Sequence, residues 1–204
     1  MILQLEKSQT LGNLMRAFAG ESMAQMRYLL AADEAKRQKY AAIARVFRFT
    51  AEQEKQHAKI FAGFLSDYPG MNIGITSGFP ADSTTDIRQL LDLSAHDEND
   101  EAETVYPGFA SVARDEGFTD IADKFAAIGE IEGTHRKRFA YYAELMRSGM
   151  LLRSDSTEER WICLNCGHIH TGSEPPEICP VCGVSSGWSV REAEADMTFA
   201  GMLG

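Results

Sequence analysis

The sequence predicts an all-α four-helix bundle followed by a small, cysteine-knuckled β module. Three observations predict it. Residues 8–66 and 84–149 are rich in Ala, Leu, Met, Glu and Lys, with apolar residues at helical spacing. A glycine- and proline-punctuated stretch separates them, and all four cysteines fall between Cys163 and Cys182. At 204 residues the chain can bury a full domain core and still carry a second, smaller unit.

In the first stretch Leu11, Leu14, Met15 and Phe18 mark an apolar helical face, and Ser8 or Thr10 suits the N-cap. The stretch is too long for one ordinary helix, so a break near residues 38–41 divides it into an antiparallel pair. "SDYPGMNIGITSGFPADS", residues 66–83, reads as a connection without regular structure. Fully extended it reaches about 50–60 Å, enough to travel the length of a long helix at ~1.5 Å per residue, which suits a crossover between two hairpins. The second hairpin runs from about Thr84 to Gly149 and turns at Gly117, a suitable C-terminal cap, while Pro107 interrupts its first helix. From Arg153 the composition shifts to Ser, Asp, Thr and Glu. A boundary near 150–158 divides the chain into a bundle (1–152), a cysteine module (158–190) and a tail (191–204). The stretch after Cys182, with Trp188, Met197, Phe199, Met202 and Leu203, suits a short amphipathic helix docking on the protein's own surface or on a second subunit.

The formal charge of −10 excludes a phosphate-binding surface, and nucleic acid is set aside. No apolar run approaches the ~20 residues of a membrane span, and the N-terminal residues lack a signal-peptide core, so a cytoplasmic chain is expected. In a reducing compartment, clustered cysteines are expected to be metal ligands.

The chemistry lies in a repeated pair. Glu54 and His57 stand three apart, and so do Glu132 and His135. In an antiparallel hairpin, residues equidistant from the turn share one height. Glu21 then faces Glu54 and His57, while Glu98 and Glu101 of "ENDE" face Glu132 and His135. Polar residues on solvated faces are the bland alternative, and the repeated spacing argues against it. Inside a bundle, unpaired carboxylates cost several kcal/mol each, so a cation is required. Carboxylates with one imidazole per ion suit iron or manganese, and a Glu from each of two helices with Glu-x-x-His from the other two is the ferritin-like di-metal pattern. Cys163, Cys166, Cys179 and Cys182 form two Cys-x-x-Cys-Gly knuckles, shared by zinc ribbons and rubredoxin-type iron sites, and spacing alone does not choose. His168 and His170 are surplus to four thiolates. Gly167 and Gly183 follow each second cysteine, where a side chain would crowd the turn.

The chain resembles the rubrerythrin family over nearly all of residues 8–183. The resemblance rests on "GES" at Glu21 with Tyr28 beyond it, "EKQH" at Glu54 and His57, and "ENDEAETVYPGFA" with Glu98, Glu101, Tyr106 and Pro107. "EGTH" at Glu132 and His135 and the closely spaced knuckles complete it. It implies a ferritin-like di-iron bundle plus a rubredoxin-like module, with Glu54 and Glu132 bridging two irons, Glu21 on one, and Glu98 and His135 on the other. His57 or Glu101 would complete the first iron according to oxidation state. Tyr28 and Tyr106 would hydrogen-bond the carboxylates, a third iron would sit on the four cysteines, and the chain would pair head-to-tail as a homodimer at minimum. The implied activity is reduction of hydrogen peroxide to water. No Gly-x-Gly-x-x-Gly follows a strand, so electrons would come from an external NAD(P)H-dependent reductase or rubredoxin. Iron oxidation and storage, or a zinc-filled scaffold that mediates contacts, are the alternative functions.

Overall fold

Ser8 starts the bundle: its hydroxyl accepts the Leu11 N–H at 3.1 Å and caps helix α1, Gln9–Arg37. Thr10 is buried inside that helix instead, held by the Glu116 carboxylate. The chain reverses through Lys39, at φ +68°, where the Tyr40 N–H bonds back to the Ala35 carbonyl, and α2 follows as Ala41–Phe64. The computed structural model describes residues 4–195. The crossover has no helix or strand through residue 86 and is tied to α1 by Arg16 Nε donating to the Thr76 carbonyl (3.2 Å) and by an Arg27–Asp82 ion pair (3.7 Å).

Helix α3, Ile87–Asp100, is capped by the Asp86 carboxylate on the Gln89 N–H. The interruption expected at Pro107 takes the form of a π-helical turn, Glu101–Val105, before α4, Tyr106–Asp115. Proline has no N–H to return to the carbonyl four residues back, and widening the preceding turn absorbs the mismatch without breaking the rod. After Gly117 (φ +89°) the chain returns as α5, Thr119–Arg147. Among the described residues no helix is long and apolar enough to cross a membrane.

The bundle core is split into two apolar clusters with a polar level between them. One contains Tyr28, Phe47, Leu91 and Phe139; the other contains Leu14, Phe61, Tyr106 and Phe125. Along α2, Glu54 and His57 fall between Ala51 of the first cluster and Phe61 of the second. Along α5, Glu132 and His135 fall between Ile128 and Phe139.

The C-terminal module is a three-stranded antiparallel sheet ordered β2-β1-β3, with β1 Arg160–Cys163, β2 Ile169–Thr171 and β3 Ser189–Arg191. Trp161, buried beneath the Arg191 guanidinium, donates to the Gly172 carbonyl at 2.9 Å. Trp188 ends a short 3-10 turn, Ser186–Trp188, that leads into β3, so this part of the stretch after Cys182 is turn and strand rather than the amphipathic helix expected there, and Arg191, placed at the start of the tail, ends β3. Glu194 is buried against α5, where the Tyr141 hydroxyl donates to it at 2.7 Å. Met197, Phe199, Met202 and Leu203 lie outside the described residues. The module rests on the α1–α2 turn: a Cβ added to Gly187 would lie 1.8 Å from the Lys39 carbonyl oxygen, and Arg45 Nη1 donates to the Leu164 carbonyl at 3.1 Å.

Candidate metal centres

The four long rods bring the expected residues to one level. Two groups form, Glu21–Glu54–His57–Glu132 and Glu54–Glu98–Glu132–His135, with one ligand-type atom from each residue within 4.8 Å of the others in its group. Glu54 and Glu132 belong to both groups. All of these residues are buried, Glu132 and His135 at 0 % exposure. His57 Nδ1 lies 3.0 Å from Glu54 and Glu132 and 3.5 Å from Glu21. His135 Nδ1 lies 2.7 Å from Glu132, 2.9 Å from Glu54 and 3.5 Å from Glu98. The imidazoles stack with centroids 5.7 Å apart.

Glu101 sits outside both groups, on the π turn and partly exposed. Burial, then the charges of Glu98, Glu21, Glu132 and Glu54, raise its pKa. Tyr28 donates to Glu98 at 2.5 Å, and Tyr106 donates to Glu21. Burial and the neighbouring carboxylates hold both phenols well above their usual range, so they stay protonated as donors. Burial and the Glu132 charge push Glu21 up, and burial and the Glu54 charge push Glu98 up to about 8. Burial disfavours charge on His57, but contacts with Glu132, Glu21 and Glu54 overcome it and raise it to about 12.

Despite the close imidazole contacts, Glu21 Oε2, Glu54 Oε1, Glu98 Oε2, both Glu132 oxygens and His135 Nδ1 make no well-directed hydrogen bond. Buried carboxylate oxygens in this condition require cations, and the charges of two divalent ions equal those of Glu21, Glu54, Glu98 and Glu132. The donor set suits a di-iron site.

The four thiols gather as the knuckle spacing implies, with Cys163 Sγ 3.7 Å from Cys182 Sγ and Cys166 Sγ 3.8 Å from Cys179 Sγ. A tetrahedron with metal–sulfur bonds of about 2.3 Å has edges of about 3.8 Å, so the cradle already has the size of a tetrathiolate. All four cysteines are free rather than disulfide-bonded. The Asn165 side chain and the Val184 N–H hold Cys182 down to about 6, towards thiolate. His168 and His170 stand outside the group.

Sequence reasoning missed a layer around His135. Gln53 Oε1 lies 3.1 Å from His135 Nε2, and it also accepts from Arg138 at 3.0 Å. Arg138, 2 % exposed, donates to Thr50 at 2.9 Å and stacks over Phe49 at 5.0 Å. A signal was available: Gln53 precedes Glu54 and Arg138 follows His135 by one short helical turn.

These features define a class: a ferritin-like carboxylate di-metal bundle joined to a rubredoxin-like tetrathiolate module. The rubrerythrin family profile matches residues 12–143, and the profile for the rubrerythrin rubredoxin-like domain matches residues 161–187. The chain belongs to the rubrerythrin family. It is 40 % identical to rubrerythrin of Nitratidesulfovibrio vulgaris over 87 % of this chain and 91 % of that protein. It is also 40 % identical to rubrerythrin of Porphyromonas gingivalis, over 87 % of each chain. Fully reduced, all-ferrous nigerythrin superposes with a TM-score of 0.60 at 26 % identity, over 93 % of this chain and 92 % of that one. Within this family the buried cluster suits two irons and the four cysteines a third, and the chain is an iron-dependent oxidoreductase.

Proposed function

We propose that this protein is a cytoplasmic di-iron peroxidase that reduces hydrogen peroxide to water. The observation that supports the reading is that Glu54 and Glu132 belong to both ligand groups, as residues shared by two neighbouring metal positions would. Glu54 and Glu132 would hold both irons, with Glu21 on one and Glu98 and His135 on the other. His57 or Glu101 would complete the first according to oxidation state. The bound pair supplies two electrons, one from each iron(II), for H2O2 + 2 H+ + 2 e− → 2 H2O. Tyr28 and Tyr106 hold Glu98 and Glu21 in place through charge-assisted hydrogen bonds, and Gln53 orients His135.

Cys163, Cys166, Cys179 and Cys182 would hold an iron whose one-electron chemistry returns electrons to the bundle from an external NAD(P)H-dependent reductase or a rubredoxin. The bundle of 1–152 would carry the two-electron chemistry and the module of 158–190 the one-electron relay. Within one chain the module seats at Lys39, whereas Glu54 lies 54 − 41 = 13 residues into α2. At ~1.5 Å per residue that is about 20 Å, a long path that a head-to-tail homodimer shortens by presenting the partner subunit's module to this bundle.

The test is metal analysis and the visible spectrum of anaerobically prepared protein before and after stoichiometric peroxide. About three irons per chain, with two electrons lost to each peroxide by the bundle pair, is the expected result. Full iron occupancy with no peroxide consumed would overturn the assignment. Mixing a Cys163→Ser chain with a Glu132→Ala chain under subunit exchange is expected to restore turnover. Demonstrated heterodimers without recovery would place the electron path within one chain.

A further inference from the structure

The long crossover also covers part of the bundle surface. Residues 77–80 roof a cavity of about 200 Å3 against α1 and the π turn, with Gly20, Phe79 and Pro80 at its walls and Glu101 and Tyr106 among its lining. Glu101 and Tyr106 are where this cavity meets the metal cluster: Tyr106 donates to Glu21, and Glu101 is the one acid of the set that is partly exposed. Two lining residues come close and form a neck: an alanine Cβ at Gly20 would stand 3.7 Å from Phe79 Cε1, in van der Waals contact. Arg16, which also lines the cavity, holds the roof by donating to the Thr76 carbonyl, and Arg27 pairs with Asp82 on its far side.

We propose that this roofed cavity is the port through which oxidant reaches the di-iron site, and that Phe79, facing Gly20, is the specificity-determining residue that admits hydrogen peroxide and excludes bulky organic hydroperoxides. The inference rests on the peroxidase reading for the reaction, ROOH + 2 H+ + 2 e− → ROH + H2O, where R is H or alkyl and the electrons come from the iron(II) pair. Access is independent of that reading, because it concerns entry of any small ligand of the metals, whatever reaction follows.

Two variants act in opposite directions. Phe79→Ala widens the neck, and Gly20→Leu fills it while retaining a good helix former in α1. With iron-loaded, chemically reduced protein, Phe79→Ala is expected to raise the ratio of cumene hydroperoxide to hydrogen peroxide rate constants about ten-fold or more, with Phe79→Leu intermediate. Azide binding to the oxidised protein, followed by its absorption band, reads access without turnover. Its association rate is expected to fall about ten-fold in Gly20→Leu and to rise in Phe79→Ala, with iron content unchanged in both. Unchanged peroxide ratios and azide rates in correctly loaded variants overturn the port. Azide rates that respond in a protein that consumes no peroxide sustain the port and overturn the peroxidase reading.

Discussion

Glu132 is the residue on which the site turns. It is fully buried, belongs to both ligand groups, and lies within 3.0 Å of both histidines. Glu132→Ala is therefore expected to lower iron occupancy of both bundle positions, whereas Glu98→Ala or His135→Ala weakens one position more than the other, with the helical fold kept in all three. Metal stoichiometry and circular dichroism check this, and equal occupancy in the parent and all three variants would remove the ligand assignment. Gly129 makes a quieter demand. A Cβ there would meet the Tyr106 Cβ at 3.0 Å, so Gly129→Ala displaces the tyrosine that donates to Glu21. Overpacking of this kind costs about 1–3 kcal/mol. A lowered melting temperature together with a shifted di-iron absorption is expected, and an unchanged spectrum would mean that Tyr106 does not hold Glu21.

At the scale of elements, an antiparallel pair of rods leaves little freedom for where side chains meet. Once the turn is located, the height of each residue follows from 1.5 Å per residue. The break at 38–41, the cap at Ser8 and the unstructured crossover all appear where the sequence places them. The π turn was legible only as a disturbance at Pro107, because the missing N–H can be accommodated by a kink, a break or a widened turn, which the local sequence does not distinguish. The seat of the module on the α1–α2 turn had no sequence signal at all. Gly187 there leaves no room for a Cβ. Gly187→Ala is expected to lift the module off the bundle and raise the cleavage rate within residues 150–158 several-fold in limited proteolysis, while the tetrathiolate spectrum persists. Unchanged protection would show that the Lys39 turn moves instead.

For the whole molecule, metal removal and pH act on the same groups. In the metal-free protein, burial raises Glu98 from the ordinary 4.5 to about 8, and the surrounding carboxylates raise His57 from 6.5 to about 12 despite its burial. Both groups bind protons more tightly folded than unfolded. Their stabilisation is complete below the unfolded values and is lost as pH rises, through about 8 for Glu98 and towards about 12 for His57. Glu54 is shifted the other way by the two histidines against its burial, but its window lies below the ordinary carboxylate value. The chelated protein is expected to melt several degrees lower at about pH 9 than at about pH 6, and the iron-loaded protein to lose that dependence, because metal takes the place of the protons. Equal pH slopes with and without iron would sever the cluster from the metals. Cys163→Ser is expected to remove the tetrathiolate spectrum and slow steady turnover while the reduced bundle still consumes one equivalent of peroxide. Steady turnover that survives without the thiolate iron would remove the relay role.

The sequence by itself determined which residues meet: helical periodicity, a repeated Glu-x-x-His and two Cys-x-x-Cys-Gly knuckles are local patterns, and rods and tight turns convert local spacing into position. Glu21, Glu54, His57, Glu98, Glu132 and His135 gather accordingly, as do the four thiols. Tertiary structure alone decided that Glu101 stands at the edge of the cluster, that Gln53 and Arg138 back His135, that Phe79 roofs a cavity over the π turn, and that Gly187 seats the module on Lys39. Each of these depends on a contact between segments distant along the chain. Such contacts are set by how side chains fill space between elements, and no periodicity records that.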